Sequence, residues 1–214
     1  WNKVSIDSFA NVSSGSTPSR KVEEYYQGDI PWVKTGEVKG GFIYSTEENI
    51  TTKAIENSSC KLYPKESILV AMYGQGKTRG NVALTKIKAT TNQACAVIEP
   101  SDEINSLFLF YQRKINYNDL REQGRGGNQP NLNGGMIKNY KVIIPPKELQ
   151  EKFAENMKMV EQQLEETKSS FLYSEKLFQS LLQKAFKGEL VKQLPTDGSA
   201  EVLLQEIKKL KAEV

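Results

Sequence analysis

Ala71-Met-Tyr-Gly-Gln-Gly-Lys-Thr78 is the segment of this chain that comes nearest to a known chemistry. It differs from GxxxxGK[ST], the loop that cradles nucleotide phosphates, only in having Ala71 for the first glycine. Such a loop must open directly into a helix whose N-terminal amides hold the phosphate. Here Arg79-Gly-Asn-Val82 follows and reads as a turn and then a strand, and no later apolar strand ends in an Asp for Mg²⁺. The segment therefore reads first as a glycine-rich hairpin tip carrying Tyr73, Gln75, Lys77, Thr78 and Arg79. Gln and Arg bond base edges in the DNA major groove, and Lys and Thr bond phosphates. A P-loop-like nucleotide-binding enzyme built on Lys77 and Thr78 is the alternative.

A second polar loop spans Gly124-Arg-Gly-Gly-Asn-Gln-Pro-Asn-Leu-Asn-Gly-Gly135. It reads either as a flexible connection or as a backbone that approaches a ligand closely. Asn128, Gln129 and Asn131 would then serve as donors and acceptors, and Arg125 would serve a phosphate. Trp32 in Ile30-Pro-Trp-Val-Lys-Thr-Gly36 reads as core, with Lys34 and Thr35 turned outward. Ser14-Gly-Ser-Thr-Pro-Ser-Arg20 reads as a turn, to which Arg20 and Lys21 add positive charge.

The chain of 214 residues has no histidine. That removes Ser-His-Asp and Cys-His nucleophiles, HExxH and Cys2His2 zinc sites, and a neutral imidazole base. Carboxylates are scattered without a metal-site constellation. Neither the PD-(D/E)xK pattern of nucleases nor the Asn/Asp-Pro-Pro-Tyr/Phe run of amino-methyltransferases is present, since Lys147 follows Pro145-Pro146. Cys60 and Cys95 lie far apart and read as buried free thiols of a reducing compartment. The sequence thus offers no catalytic centre and no metal site.

Positioning the two loops requires a mixed α+β globule. Candidate strands are Phe42–Tyr44, Ser67–Tyr73, Val82–Ile87, Ala94–Glu99 and Tyr140–Ile144, rich in Val, Ile and Tyr and bounded by turn residues. One helix carries Ile104, Leu107, Phe108, Tyr111 and Ile115 at helical spacing, with Ser101 as its cap. A weaker helix spans Thr52 to Ser58. After Pro146 there is neither Gly nor Pro until Gly188. A helix over Lys147–Lys187 would be about 60 Å long. Leu149, Phe153, Met157, Val160, Leu164, Phe171, Phe178 and Leu181 form a nearly heptad seam along it, with Thr167 and Ser174 in two weak seats. Such a seam needs a partner helix. Ser199 then caps a last amphipathic helix carrying Leu203, Ile207, Leu210 and Val214. No internal repeat is evident.

The charge follows this division. Residues 1–147 hold 19 Lys and Arg against 14 Asp and Glu, a net +5, and residues 148–214 hold 10 against 12, a net −2. A mildly basic globule suits a polyanion; the acidic remainder presents a different surface. The longest apolar run, Ile68 to Tyr73, is far short of a membrane span, and no secretory signal is evident. The first residue, Trp1, reads as the start of a trimmed or partial chain.

Several segments, in order and spacing, resemble the specificity subunit of type I restriction-modification systems. They are Ser14-Gly-Ser-Thr-Pro18, Ile30-Pro-Trp-Val33, Tyr73-Gly-Gln-Gly with Arg79-Gly80, Thr91-Asn-Gln93, Gln129-Pro-Asn-Leu132, Ile144-Pro-Pro146 and Leu181-Leu-Gln-Lys-Ala-Phe-Lys-Gly-Glu-Leu190. The resemblance implies a DNA-binding target recognition domain over 1–146, a long spacer and dimerisation helix over 147–190, and a turn with a C-terminal helix over 191–214. It also implies a non-catalytic, cytoplasmic role reading double-stranded DNA, with no membrane. Methyltransferase (M) subunits would supply adenine methylation with S-adenosylmethionine, and a restriction (R) subunit would supply Mg-ATP-driven cleavage. This chain itself would need no cofactor. Such subunits usually carry two recognition domains and two long helices packed as an antiparallel coiled coil, a ruler between the halves of a bipartite site. One of each here implies a half-subunit that self-associates, or the C-terminal half of a full subunit. A purely structural coiled-coil adaptor is the bland alternative.

Overall fold

The structure is a computed structural model that describes residues 1–74, 78–123, 131–192, 194 and 198–212. The chain divides into two compact units, Trp1–Met157 and Lys158–Val214.

The first unit is built around a five-stranded sheet in the order β2-β9-β6-β7-β4. Its strands are β2 (Val12–Ser14), β4 (Phe42–Ile43), β6 (Ile68–Ala71), β7 (Val82–Thr85) and β9 (Cys95–Ile98). All residues of β6, β7 and β9 are buried, as runs of Val, Ile, Leu and Ala packed on both faces must be. Side chains alternate between faces. Ile68, Val70, Val82, Leu84, Ala96 and Ile98 therefore enter one core. Leu69, Ala71, Ala83, Cys95 and Val97 enter another, with Val33, Val38 and Tyr63. A three-stranded sheet, β5 (Glu48–Ile50), β3 (Ile30–Val33) and β8 (Thr90–Thr91), adjoins a third core of Trp32, Ile50, Ala54 and Cys60. Strand β1 (Lys3–Ser5) pairs with β10 (Lys141–Ile143).

The expected strands form, each shortened at its ends: Tyr44, Ser67, Met72, Tyr73, Lys86, Ile87, Ala94, Glu99, Tyr140 and Ile144 lie outside them. Strands β1, β2, β3, β5 and β8 were not foreseen. Their sequences, KVS, VSS, IPWV, ENI and TT, are polar or interrupted by Pro31 and lack the apolar run bounded by turns that marks the others.

Helix α1 covers Thr52–Glu56 and is capped by Thr51, whose hydroxyl accepts from the Ala54 amide; it stops two residues before the expected Ser58. Helix α2 covers Ser106–Ile115, and its cap is Asn105 rather than Ser101. Asn105 Oδ1 accepts from the amides of Leu107 (3.0 Å) and Phe108 (3.2 Å). Ser101 Oγ accepts from the Glu103 amide in a preceding turn. The buried face of α2 is also wider than one stripe. Leu109, Phe110 and Arg113 are buried with Leu107 and Tyr111, whereas Ile115 is 79% exposed. The reason is that α2 is covered twice, by the sheet and by the start of the long helix. Phe153 stacks edge-on to both Phe108 and Tyr111, with ring centroids 5.4 and 5.9 Å apart.

Two helices unforeseen from the sequence follow, α3 (Tyr117–Gln123) and α4 (Gly134–Asn139). The long helix α5 covers Lys147–Phe186. Gln150 anchors its first turn in the globule, wholly buried. Its Oε1 accepts from the Asn105 amide (2.7 Å) and its Nε2 donates to the Pro145 carbonyl (2.8 Å).

In the second unit α5 ends at Phe186, and the positive φ of 70° at Gly188 allows the Glu189 amide to reach back to the Lys184 carbonyl (2.8 Å). Helix α6 covers Ala200–Ala212, with Ser199 Oγ accepting from the Val202 amide. Among the described residues no helix is long and apolar enough to cross a membrane.

Candidate nucleic-acid interface

The hairpin joining β6 and β7 is closed by two backbone bonds, Ala71 N to Asn81 O (2.9 Å) and Gly80 N to Ala71 O (2.8 Å). Gly80 turns with φ of 81°, and a Cβ there would meet Arg121 Cγ at 2.8 Å. Strand β7 follows at Val82 where a phosphate loop would need a helix. Tyr73 stands 41% exposed at the stem and Thr78 is half-buried. Arg79, expected on the exposed tip, is instead buried. Gln75 and Lys77 lie outside the described residues.

The second polar loop begins after α3 and ends at α4. Arg125, Asn128 and Gln129 lie outside the described residues, and Asn131 is exposed at the loop's end. The flanks of the two loops are fastened to each other. The Leu132 amide donates to the Met72 carbonyl (3.0 Å). On the other side Arg121 Nη1 donates to the Arg79 carbonyl (3.3 Å) and to the Tyr117 hydroxyl. The described flanks of two segments chosen separately for their residue types thus lie side by side. Helix α3, which sequence reasoning missed, is the brace. Its only advance signal was Tyr117 and Arg121 at i, i+4 spacing.

Arg20, Lys21, Lys34 and Thr35 are disposed differently. The Arg20 guanidinium lies 4.0 Å from the Tyr26 ring centroid and 4.9 Å from that of Trp32, and bonds Glu48 at 2.6 Å. Lys34 bridges Glu47 (2.7 Å) and Glu48 (3.1 Å). The Arg20 hydrogen bond, seconded by Lys34, holds the Glu48 carboxyl below its usual range, and the same bond raises Arg20. Thr35 Oγ1 donates to Asn92 Oδ1 (2.8 Å). Lys21 is exposed. Arg20 and Lys34 are therefore occupied by carboxylates of their own chain.

Three of the short segments picked out in the sequence form one hydrogen-bonded knot. The Ser16 amide donates to the Thr91 carbonyl (2.8 Å), Trp32 Nε1 to the Ser16 carbonyl (3.1 Å), and the Asn92 amide to the Val33 carbonyl (3.1 Å). The Thr17 hydroxyl donates to Gln93 Oε1. Gly15 is required by this closeness, since a Cβ there would lie 2.1 Å from the Thr91 carbonyl oxygen. Trp32 is core, 2% exposed.

The long-helix seam divides between the units. Phe153 and Met157 pack on the core of the globule, so these two expected partner contacts are already covered. Leu149, Val160, Leu164, Phe171, Phe178 and Leu181 are between 44% and 66% exposed. The hydroxyls in the weak seats are satisfied within the helix, Thr167 by the Gln163 carbonyl (2.7 Å) and Ser174 by that of Ser170 (3.0 Å).

Known proteins resemble this chain in sequence and in fold. The sequence is 32% identical over 191 residues to the type I restriction enzyme MjaIX specificity subunit of Methanocaldococcus jannaschii, covering 87% of this chain and 44% of that one. It is 29% identical over 155 residues to the HindI specificity subunit of Haemophilus influenzae, covering 70% and 33%. The chain thus spans less than half the length of these curated relatives. The fold is similar to that of the HsdS subunit from Thermoanaerobacter tengcongensis, with a TM-score of 0.60 at 16% identity, covering 89% of this chain and 45% of that one. The type I S subunit from M. genitalium is similar too, with a TM-score of 0.59 at 18% identity, covering 90% and 46%. With residues 1–172 matching the type I restriction modification DNA specificity domain, the chain belongs to that family.

Proposed function

We propose that this chain is a non-catalytic DNA sequence-specificity subunit that reads one half of a bipartite site and recruits methyltransferase and restriction subunits. The observation that carries the reading is the family match over residues 1–172, which takes in the whole globule and both fastened loops. In this reading the first unit reads double-stranded DNA through the two loops. The exposed seam beyond Met157 pairs with a second recognition half or a second copy. S-adenosylmethionine and Mg-ATP belong to the partner subunits, in the cytoplasm.

Nucleotide binding at Lys77 and Thr78 is the poorer reading, because the segment feeds a strand. The test is co-purification with the methyltransferase subunit, followed by DNA binding of the mixture at several salt concentrations. Binding should fall steeply with salt and become site-selective when the methyltransferase is present. Failure of any methyltransferase to co-purify, together with no preferred site, overturns the reading.

A further inference from the structure

We propose that a cleft beside the hairpin stem seats a backbone phosphate of the DNA, a contact that fixes position rather than reads sequence. This deepens the DNA-binding reading and rests on it. The cleft has a volume of about 510 Å³ and lies within the first unit, with Ser14, Tyr73, Gln93, Asn133, Gly134 and Lys138 among its walls. Gln93, Asn133 and Lys138 are not among the contacts that residue chemistry suggested from the sequence.

Beside the hydroxyls of Ser13, Ser14 and Tyr73, its polar groups are two side-chain amides and one ammonium. Asn133 Oδ1 is taken by the Met136 amide (2.9 Å), and Gln93 Oε1 by the Thr17 hydroxyl. Each amide also carries an NH₂ group able to donate two hydrogen bonds. Lys138 adds an ammonium. It lies 3.4 Å from Asp7, but both side chains are about half exposed, and such a surface pair is weak enough to exchange for a phosphate. No Asp or Glu is among the described residues that line the cleft. Two amide donors, an ammonium and no carboxylate suit a ligand that only accepts hydrogen bonds and carries negative charge. A phosphodiester is such a ligand, and most protein–DNA hydrogen bonds go to the sugar–phosphate backbone. The cleft also shares Tyr73 with the hairpin stem and Asn133 with the end of the second loop, so a phosphate here would lie next to the loops that meet the bases.

Gly134 supplies the test. A Cβ built there meets nothing within 4 Å, and its φ is not in the left-handed region, so a Cβ can be added without displacing a neighbour. Fluorescence anisotropy of the full chain would be measured on labelled duplexes of several unrelated sequences over a range of salt. Lys138→Ala should weaken binding by a similar factor on every duplex and reduce the salt slope by about 0.9, the value for one lost phosphate. Gly134→Glu should weaken binding and Gly134→Lys should strengthen it, with thermal unfolding unchanged in both. If the unmodified chain shows no salt-sensitive binding, the DNA reading fails and this inference with it. If it binds, but all three variants match it, or Glu and Lys at 134 weaken binding equally, the phosphate seat alone is overturned.

Discussion

The Leu132 amide donates to the Met72 carbonyl at 3.0 Å, tying the end of one polar loop to the stem of the other. The Leu132 side chain is 1% exposed and belongs to the same core as Met72, so the tie is held by packing as well as by the bond. Leu132→Ala should cost about 2–5 kcal/mol, the range for truncating a fully buried leucine. Urea unfolding checks the magnitude. A cost well under 1 kcal/mol would mean that the core does not hold this junction.

Gly15→Ala is expected to be disruptive, because its Cβ would fall 2.1 Å from the Thr91 carbonyl oxygen and 2.4 Å from that of Asn92. The Thr91 oxygen accepts from the Ser16 amide and the Asn92 oxygen from that of Cys95, so neither yields without disturbing a backbone hydrogen bond. The loss should be on the order of 1–3 kcal/mol, as for other overpacked sites. Gly134→Ala is the control and should be neutral or slightly stabilising, since a helix favours Ala over Gly. Comparison of the two melting temperatures decides the point.

Val160→Asp with Leu164→Asp should abolish self-association through α5. Each carboxylate would otherwise be buried unpaired in the helix contact. Both native side chains are about half exposed, so the thermal stability of the globule should hardly change. Light scattering should show a fall in mass. An unaltered oligomer, or an unmodified chain that stays monomeric at high concentration, counts against a helix partner.

Glu48 gives a pH dependence with a definite sign. Its carboxyl is held below the ordinary carboxylate range, chiefly by the Arg20 hydrogen bond. The contribution is therefore full above the unfolded carboxylate's range and is lost as pH falls through the lower folded value. Glu48→Gln should unfold at lower urea than the unmodified chain at pH 7, and the gap should close toward pH 3. The gap will be modest because the pair is partly exposed. A gap that widens in acid would contradict the assignment.

The sequence announced what repeats and hid what does not. Strands β6, β7 and β9 were legible as apolar runs bounded by turn residues, and helix α5 because its near-heptad spacing persists over many turns. Thr90–Thr91 and the Pro31-containing β3 were not, since pairing over two to four residues is decided by distant neighbours such as Ile50 and Trp32. Ser101 looked like the cap of α2 on local chemistry. Asn105 takes the role because Gln150, 45 residues away, accepts from its amide. Phe153 and Met157 obey the seam spacing yet serve the globule, a division that periodicity alone does not mark. The two polar loops were singled out by residue type as candidates for DNA contact. That Arg20 already holds Glu48 depends on Tyr26 and Trp32 being folded beside it, and that Lys34 holds Glu47 and Glu48 is set by the fold as well.

Strand β6 is a wall shared by two rooms. Ile68 and Val70 furnish one core, and Leu69 and Ala71 the other. A slip of one residue in its pairing would exchange the two sets, pressing Ile and Val into the space shaped for Leu and Ala and leaving the opposite core underfilled. In a sheet with one wet face such a slip is penalised once. Here it is penalised on both sides, and the hairpin that continues from β6 inherits a phase that neither core can relax alone.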